Sequence, residues 1–370
     1  MSLPGTMKAA VTEGDSVVVK SGVPVPPVGD EGILVKVQAV AGNPTDWKHA
    51  TYKIGPQGSI VGCDVAGKVV KVGRNVKNFK VGDEIYSVVH GSSVKHPENG
   101  AFADYSVLDS NISLKVPSGA TLGGKEFIPA GPVRSIEAAA SLPVSLFTAG
   151  QILTYNMGLK REWEPAKPQH DYPLLVWGGA TAVGQLTIQL AKKMNGFTKI
   201  IAVASKKHEK TLKSYGVDEL FDYHDSDVIE QIKKTYDYLP QLLDAVSAPE
   251  SFTQVYKLGS KDAPTTLLQL TTMNEEIIKP EERNPNVKVE GTMLYSVTGL
   301  EVPFGNMTIP ANPQYRQTAI DFIQFIEPKI NNGEIYHIPL QTFKGLDAVP
   351  DMLNDIKQGK NSNVKYVALF

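Results

Sequence analysis

Residues 174–184 read LLVWGGATAVG: four apolar residues run into a glycine turn, and the turn opens a segment with Val183, Leu186, Leu190, Ala191 and Met194 on one helical face. Gly196 stands where a helix C-cap would fall. A strand, a tight glycine turn and a helix in this order place backbone N–H groups at a helix N-terminus, the arrangement that receives a pyrophosphate. The register is imperfect: Gly179 and Gly184 take the outer positions of G-x-G-x-x-G, and Thr181 stands in the middle. Taken alone, such a turn also serves tight strand–helix packing. Here the alternation continues with a second apolar strand at residues 200–204. The pattern predicts a doubly wound parallel sheet that binds a dinucleotide through Gly179, Thr181, Ala182, Val183 and Gly184.

The end of the second strand bears on which dinucleotide. NAD-selective sites hold the ribose hydroxyls with an Asp or Glu about 20 residues past the turn. This chain has Val203-Ala204-Ser205-Lys206-Lys207-His208 there, with no acid. The Ser205 hydroxyl and the Lys206 and Lys207 ammonium groups suit a 2′-phosphate, so NADPH is expected, with NADH left open. The same lysines equally suit a solvated helix start. Tyr223, at the end of the next strand, is placed to cover the adenosine edge.

The first third has a different rhythm. Residues 33–41 (ILVKVQAVA), 65–72 and 84–89 read as short strands punctuated by Gly73 and Gly82-Asp83, which suggests a barrel-like β domain. Residues 135–153 are Ala- and Leu-rich and predict two helical pieces interrupted at Pro143. Residues 160–173 read as a surface loop and 303–313 as a proline-containing break. A helix is expected over 314–330 and a strand over 364–370.

At 370 residues the chain exceeds one comfortable core, so about two domains are expected. Lys plus Arg number 37 against 39 for Asp plus Glu, which leaves no electrostatic footprint for nucleic acid or an acidic membrane. The one cysteine, Cys63, excludes an internal disulfide and a multi-thiolate zinc knuckle. The start lacks a signal-peptide pattern and no apolar run approaches about 18 residues, so a cytoplasmic protein is expected.

Six ordered motifs give these readings a common frame: Asn43-Pro-Thr-Asp46, Gly62-Cys-Asp-Val-Ala-Gly67 with Val72-Gly73, Val81-Gly82-Asp83, Gly100-Ala-Phe-Ala-Asp-Tyr105, Ser141-Leu-Pro-Val144 with Thr148-Ala149, and Gly178 to Gly184. With them the chain resembles, along nearly its whole length, the medium-chain dehydrogenase/reductase superfamily. The likeness is to the zinc-independent quinone oxidoreductase and enoyl reductase branch, including fungal trans-acting enoyl reductases. The resemblance implies a GroES-like catalytic domain from residues 1–150 and 315–370, with a Rossmann domain over 151–314 inserted.

It also implies where chemistry sits. The positions that hold catalytic zinc in zinc alcohol dehydrogenases match Asn43, Cys63 with Asp64, and Val144, and the structural zinc lobe is missing, so no metal is expected. A site from His49, Cys63, Asp64 and His90 is the weaker reading. Lys48 falls on the lysine of the enoyl reductases' Asn-Pro-Ser-Asp-x-Lys stretch and would support a substrate oxygen or a water; Tyr52 is a second donor or proton source. As plain structure, Lys48 is a solvated helix lysine and Tyr52 a half-buried core residue. Asn43 would line the floor of the nicotinamide pocket, Thr148 would contact the ring, Leu294 and Tyr295 would cover it, and Lys365 would lie near the cofactor.

The expected activity is metal-free, NAD(P)H-dependent delivery of hydride to activated C=C bonds (enones, enals, enoyl thioesters) or to quinones. An aldehyde reductase with the same nucleotide site is the alternative, as is a non-catalytic dinucleotide-binding protein. A small unsaturated carbonyl or quinone is then the partner; similar proteins are commonly homodimers, and some enoyl reductases serve a polyketide synthase.

Overall fold

The computed structural model describes residues 3–370. They form two compact units, one ending at Phe147 and resuming at Tyr295–Phe370, the other Thr148–Leu294.

The continuous unit is built on six parallel strands among the described residues. In space they run Glu219–Phe221, Ile200–Val203, Leu174–Trp177, Gln241–Asp244, Thr265–Gln269 and Val287–Gly291. Numbered within the unit this is 3-2-1-4-5-6, so the order reverses beside Leu174–Trp177, where doubly wound sheets bind ligands at the strands' carboxyl ends. Leu174–Trp177, Ile200–Val203 and Gln241–Asp244 are buried throughout, as strands covered on both faces must be. The helix after the turn spans Ala182–Lys193 and buries Leu186, Leu190 and Ala191 as its periodicity predicts. It also buries Gln185, Thr187 and Gln189, so packing covers more of its circumference than the apolar stripe shows. It ends one residue earlier than expected. Asn195, at φ 44°, takes the left-handed position assigned to Gly196, whose N–H instead reaches back to the Ala191 carbonyl at 2.9 Å.

The discontinuous unit is held by a sheet that joins distant parts of the chain. Strand Gly32–Ala41 pairs antiparallel with Asp64–Val72 on one side and with Lys365–Leu369 on the other. Ile33, Val35, Val37 and Val40 on that strand pack with Val65, Val69, Ile85, Leu108 and the carboxyl-terminal Met352, Leu353 and Ala368. Two helical pieces, Ile136–Ala140 and Pro143–Gln151, flank the expected break at Pro143, and the second runs on as a π-helical turn, Ile152–Asn156.

The return to this unit falls at Tyr295 rather than at 315. The stretch read as a proline break is a short turn, Leu294–Thr298, followed by a hairpin pairing Val302–Phe304 with Met307–Ile309. Aromatic contacts explain its allegiance: Tyr295 stacks on His90 with centroids 3.7 Å apart, and Phe304 meets His49 edge-on at 5.3 Å. Among the described residues, no helix is long and apolar enough to cross a membrane.

Candidate active site

In the nucleotide unit the glycine turn has the form its sequence predicts. Thr181 is the helix N-cap; its Oγ1 accepts the Gly184 N–H at 3.0 Å and donates to the Gly178 carbonyl at 2.9 Å. The remaining N–H groups of the first turn have no intrahelical acceptor and point from the positive end of the helix. The cradle tolerates no side chain at its closest points. A Cβ on Gly184 would stand 2.3 Å from the Gly178 carbonyl oxygen, and one on Gly179 would stand 3.0 Å from the Ala202 Cβ. Thr181 therefore replaces a middle glycine without obstructing the turn, because it caps the helix. These residues fit a dinucleotide pyrophosphate.

Ser205, half-buried, and the exposed Lys206 and Lys207 lie at the carboxyl end of Ile200–Val203. The Asp222 carboxylate accepts the Lys206 backbone N–H at 2.8 Å and pairs with the His224 ring at 2.6 Å, an acid at this edge that counting along the sequence did not place. Desolvation raises its pKa, but the two backbone N–H groups and the His224 ring together outweigh that and hold it below the usual carboxylate range. Tyr223 is half exposed, Leu294 is half-buried, and Thr148 is buried within Pro143–Gln151.

In the discontinuous unit the site grows from helix Pro44–Thr51. Pro44 opens it at the position where a missing N–H costs nothing. Asn43 does not cap it with its own side chain: Asp46 Oδ2 accepts the Asn43 N–H at 2.7 Å, while Asn43 Nδ2 donates to Asp64 Oδ2 at 2.8 Å. Asp64 is fully buried and saturated. Its Oδ2 also takes the Lys365 ammonium at 2.7 Å, and its Oδ1 takes the Val144 N–H at 2.7 Å. Lys365, 4% exposed, spends a second donor on Asn43 Oδ1 at 2.7 Å. The structure thus joins Asn43 and Lys365, both expected at the cofactor, through Asp64 in one buried ion-pair network. Among the described residues, no group of three or more His, Cys, Asp or Glu is placed to hold a metal.

Lys48 is half-buried, with its ammonium 5.8 Å from the centre of the Trp47 ring, where it draws on the ring's negative face. Burial holds its pKa below the ordinary lysine value. Tyr52 closes the same helix 64% exposed, its ring 6.2 Å from Trp47.

A buried polar cluster brings His49, Cys63 and His90, grouped in the weaker metal-site reading, together with Thr45 and Tyr295, which that reading did not include. The Tyr295 hydroxyl lies 2.6 Å from Thr45 Oγ1 and 3.5 Å from Cys63 Sγ, turned into this unit. His49 Nδ1 lies 2.8 Å from the Thr45 carbonyl, so that nitrogen carries the hydrogen. Burial lowers His49 to about 4 and His90 well below its usual value, so both imidazoles are neutral near pH 7. Burial, reinforced by the charge of Asp64, pushes the Asp46 carboxyl up to about 7. Trp47 Nε1, His49 Nε2 and His90 Nε2 are buried without a hydrogen-bond partner. The available sequence signal was the i, i+4 spacing of Thr45 and His49 on one short helix; the approach of Tyr295 and Cys63 is tertiary.

Comparison with known proteins places this geometry. The alcohol dehydrogenase GroES-like domain matches residues 29–118 and the family described as zinc-binding dehydrogenase matches 182–306. Uncharacterized protein YNL134C of Saccharomyces cerevisiae is 57% identical over 100% of this chain and 99% of its own. Trans-enoyl reductase ACTTS2 of Alternaria alternata is 31% identical over 98% of both chains. The crystal structure of a Pseudomonas syringae quinone oxidoreductase superposes with a TM-score of 0.72 at 17% identity, covering 99% of each chain, a likeness of fold. With two domains matched and full-length similarity to a trans-enoyl reductase, the chain belongs to the medium-chain dehydrogenase/reductase superfamily, in its enoyl reductase branch.

Proposed function

We propose that the protein is an NAD(P)H-dependent reductase of activated C=C bonds, in enones, enals or enoyl thioesters, or of quinones, and that it works without a metal. The observation that supports this reading is the helix start at Thr181, where first-turn N–H groups lack an intrahelical acceptor and Gly184 packs too close to the Gly178 carbonyl to bear a side chain. The relationship to trans-enoyl reductases supports the C=C preference.

A reduced nicotinamide bound there would supply hydride to the β-carbon of the acceptor, leaving negative charge on the conjugated oxygen. Ala182 and Val183 bind the pyrophosphate through backbone N–H groups, while Gly179, Thr181 and Gly184, whose own N–H groups are bonded within the protein, shape the cradle around it. Ser205, Lys206 and Lys207 meet a 2′-phosphate, which favours NADPH over NADH. Lys48, half-buried and charged, stabilises the developing oxyanion directly or through a water, with more effect than a fully solvated lysine would have. Solvent or the exposed Tyr52 returns the second proton.

The test is NADPH or NADH oxidation, followed at 340 nm on chelator-treated protein, with a short enone, a quinone and an aromatic aldehyde. The expected result is turnover with the enone or quinone that exceeds turnover with the aldehyde. Activity confined to the aldehyde would make it a carbonyl reductase, and cofactor binding with no oxidation would make it a binding protein.

A further inference from the structure

The Asp222 carboxylate ties together the ends of two neighbouring parallel strands, Ile200–Val203 and Glu219–Phe221. Its Oδ2 accepts the Lys206 backbone N–H at 2.8 Å, just past the first of them. Its Oδ1 accepts the backbone N–H of His224 at 3.0 Å and meets the ring of the same residue, with Nδ1 2.6 Å away. An acid at this edge serves NAD when it is free to accept from the ribose hydroxyls. Here the protein's own donors fill it, and its side chain is 16% exposed. An ionised carboxylate only accepts, so His224 Nδ1 carries a hydrogen in either state of the ring. That leaves Nε2 for a ligand, on a side chain that is 60% exposed. The Tyr223 ring, 4.1 Å away between centroids, packs on the imidazole. Through Asp222 the ring stands beside the turn Lys206–His208 and its N-cap Ser205, the place after the second strand where doubly wound sheets receive the 2′ position of the adenosine ribose.

We propose that His224 determines cofactor specificity in a pH-dependent way: its Nε2 donates to the 2′-phosphate of NADPH while Asp222 holds Nδ1. The assignment rests on the NADPH-dependent reductase reading above and adds a switchable charge to the fixed ones of Lys206 and Lys207. A phosphate on Nε2 puts the imidazole between two anions, and the doubly protonated ring donates to both at once. The neutral ring turns a lone pair toward the phosphate instead. Imidazoles change charge between about pH 5 and 8, so the contact forms at the acid end of that range and is lost at the alkaline end. The other charged groups of this edge set the background. Asp225 and Asp227 share the loop with His224, and Gln231 Nε2 reaches them at 3.4 and 2.8 Å. Across Asp222 stand Lys206, Lys207, His208 and Glu209, the last paired with Lys213 at 2.9 Å. Desolvation and the charge of Lys207 hold His208 below the ordinary histidine value, so it gives up its proton first as pH rises. The second ionisation of the phosphate, near about pH 6, works the other way by adding negative charge as pH rises.

The test measures NADP+ and NAD+ binding by calorimetry at about pH 6, 7 and 8 for the full chain, His224→Ala and His224→Lys. The parent's preference for NADP+ over NAD+ should fall about tenfold between the lowest and highest pH, the weight of one charge-assisted hydrogen bond at an exposed site. His224→Ala, which removes the ring but leaves Lys206, Lys207, His208 and the phosphate to titrate as before, should lose that fall and start about tenfold below the parent at the lowest pH. His224→Lys carries a charge that persists across the range and should keep the parent's low-pH preference at the highest pH. His224 lies on the surface, so neither substitution disturbs the core. A preference in His224→Ala that tracks the parent at every pH overturns the assignment alone, as does His224→Lys behaving like His224→Ala. A parent that binds neither dinucleotide overturns the reductase reading and this assignment with it; one that binds both equally at every pH overturns the choice of NADPH.

Discussion

Lys365 and Asp64, 301 residues apart in the chain, meet at 2.7 Å with both side chains almost wholly withdrawn from solvent. Neither charge has bulk water to fall back on, so each depends on the other and on Asn43 for its solvation.

Removing one member leaves a buried, uncompensated charge. Lys365→Met should destabilise the protein by about 3–5 kcal/mol, whereas adding Asp64→Asn to that variant should recover part of the loss. Urea unfolding of the parent, the single and the double variant checks this; a double variant no better than the single would show that Asp64 keeps its charge solvated without Lys365.

Asp46 and His49 tilt stability in opposite directions with pH. The Asp46 carboxyl, pushed up to about 7 by burial, keeps in the folded chain a proton that the unfolded chain releases near 3.8. Its contribution therefore falls as pH rises from about 4 to about 7. His49, pushed down to about 4 by burial against 6.5 when unfolded, resists the proton that the unfolded chain binds, so its contribution falls as pH drops through the same range. Asp46→Asn keeps an acceptor for the Asn43 N–H and removes only the first slope. Its unfolding free energy should climb more steeply than the parent's between about pH 4.5 and 6.5, and exceed the parent's above about pH 7. Parallel curves would mean that Asp46 is ionised in the fold.

Lys48→Ala should leave NADPH affinity intact and lower kcat/KM for an enone by about a hundredfold. Because burial lowers the lysine's pKa, the alkaline limb of the parent's pH–rate profile should fall below the ordinary lysine range and disappear in the variant. Equal turnover by variant and parent with several acceptors would remove Lys48 from the mechanism.

Replacing Lys206 and Lys207 together by Ala should raise KM for NADPH far more than for NADH, and should flatten the salt dependence of NADPH binding. Equal effects on both cofactors would place the two lysines in solvent, with Asp222 deciding the preference at this edge.

Much of the fold is legible in the sequence because its signals are local. Four apolar residues before a glycine turn, the helix start at Pro44, and the apolar face over Ile323, Ile326 and Ile330 each declare an element within a dozen residues. The hairpin at Val302–Ile309 is masked in the sequence by Pro303, inside its first strand, and by Pro310 just after its second, which read as a break although short edge strands tolerate proline. The site was half legible. Lys48 and Tyr52 share a helix turn with the motif that drew attention to them, but the network around Asp64 and the meeting of Tyr295 with Thr45 and Cys63 depend on packing across more than two hundred residues. Isolated lysines, tyrosines and cysteines carry no local trace of such partners.

The pairing of Lys365–Leu369 with Gly32–Ala41 also sets an order of events during synthesis. The nucleotide unit is one uninterrupted stretch and has all its strands once Gly291 has left the ribosome. The other unit does not: Asp64 is made early but waits for its counter-charge until nearly the whole chain has emerged. A nascent chain halted short of Lys365 would carry a finished nucleotide unit beside an open sheet edge and an unneutralised carboxylate, the kind of surface that chaperones and proteases recognise.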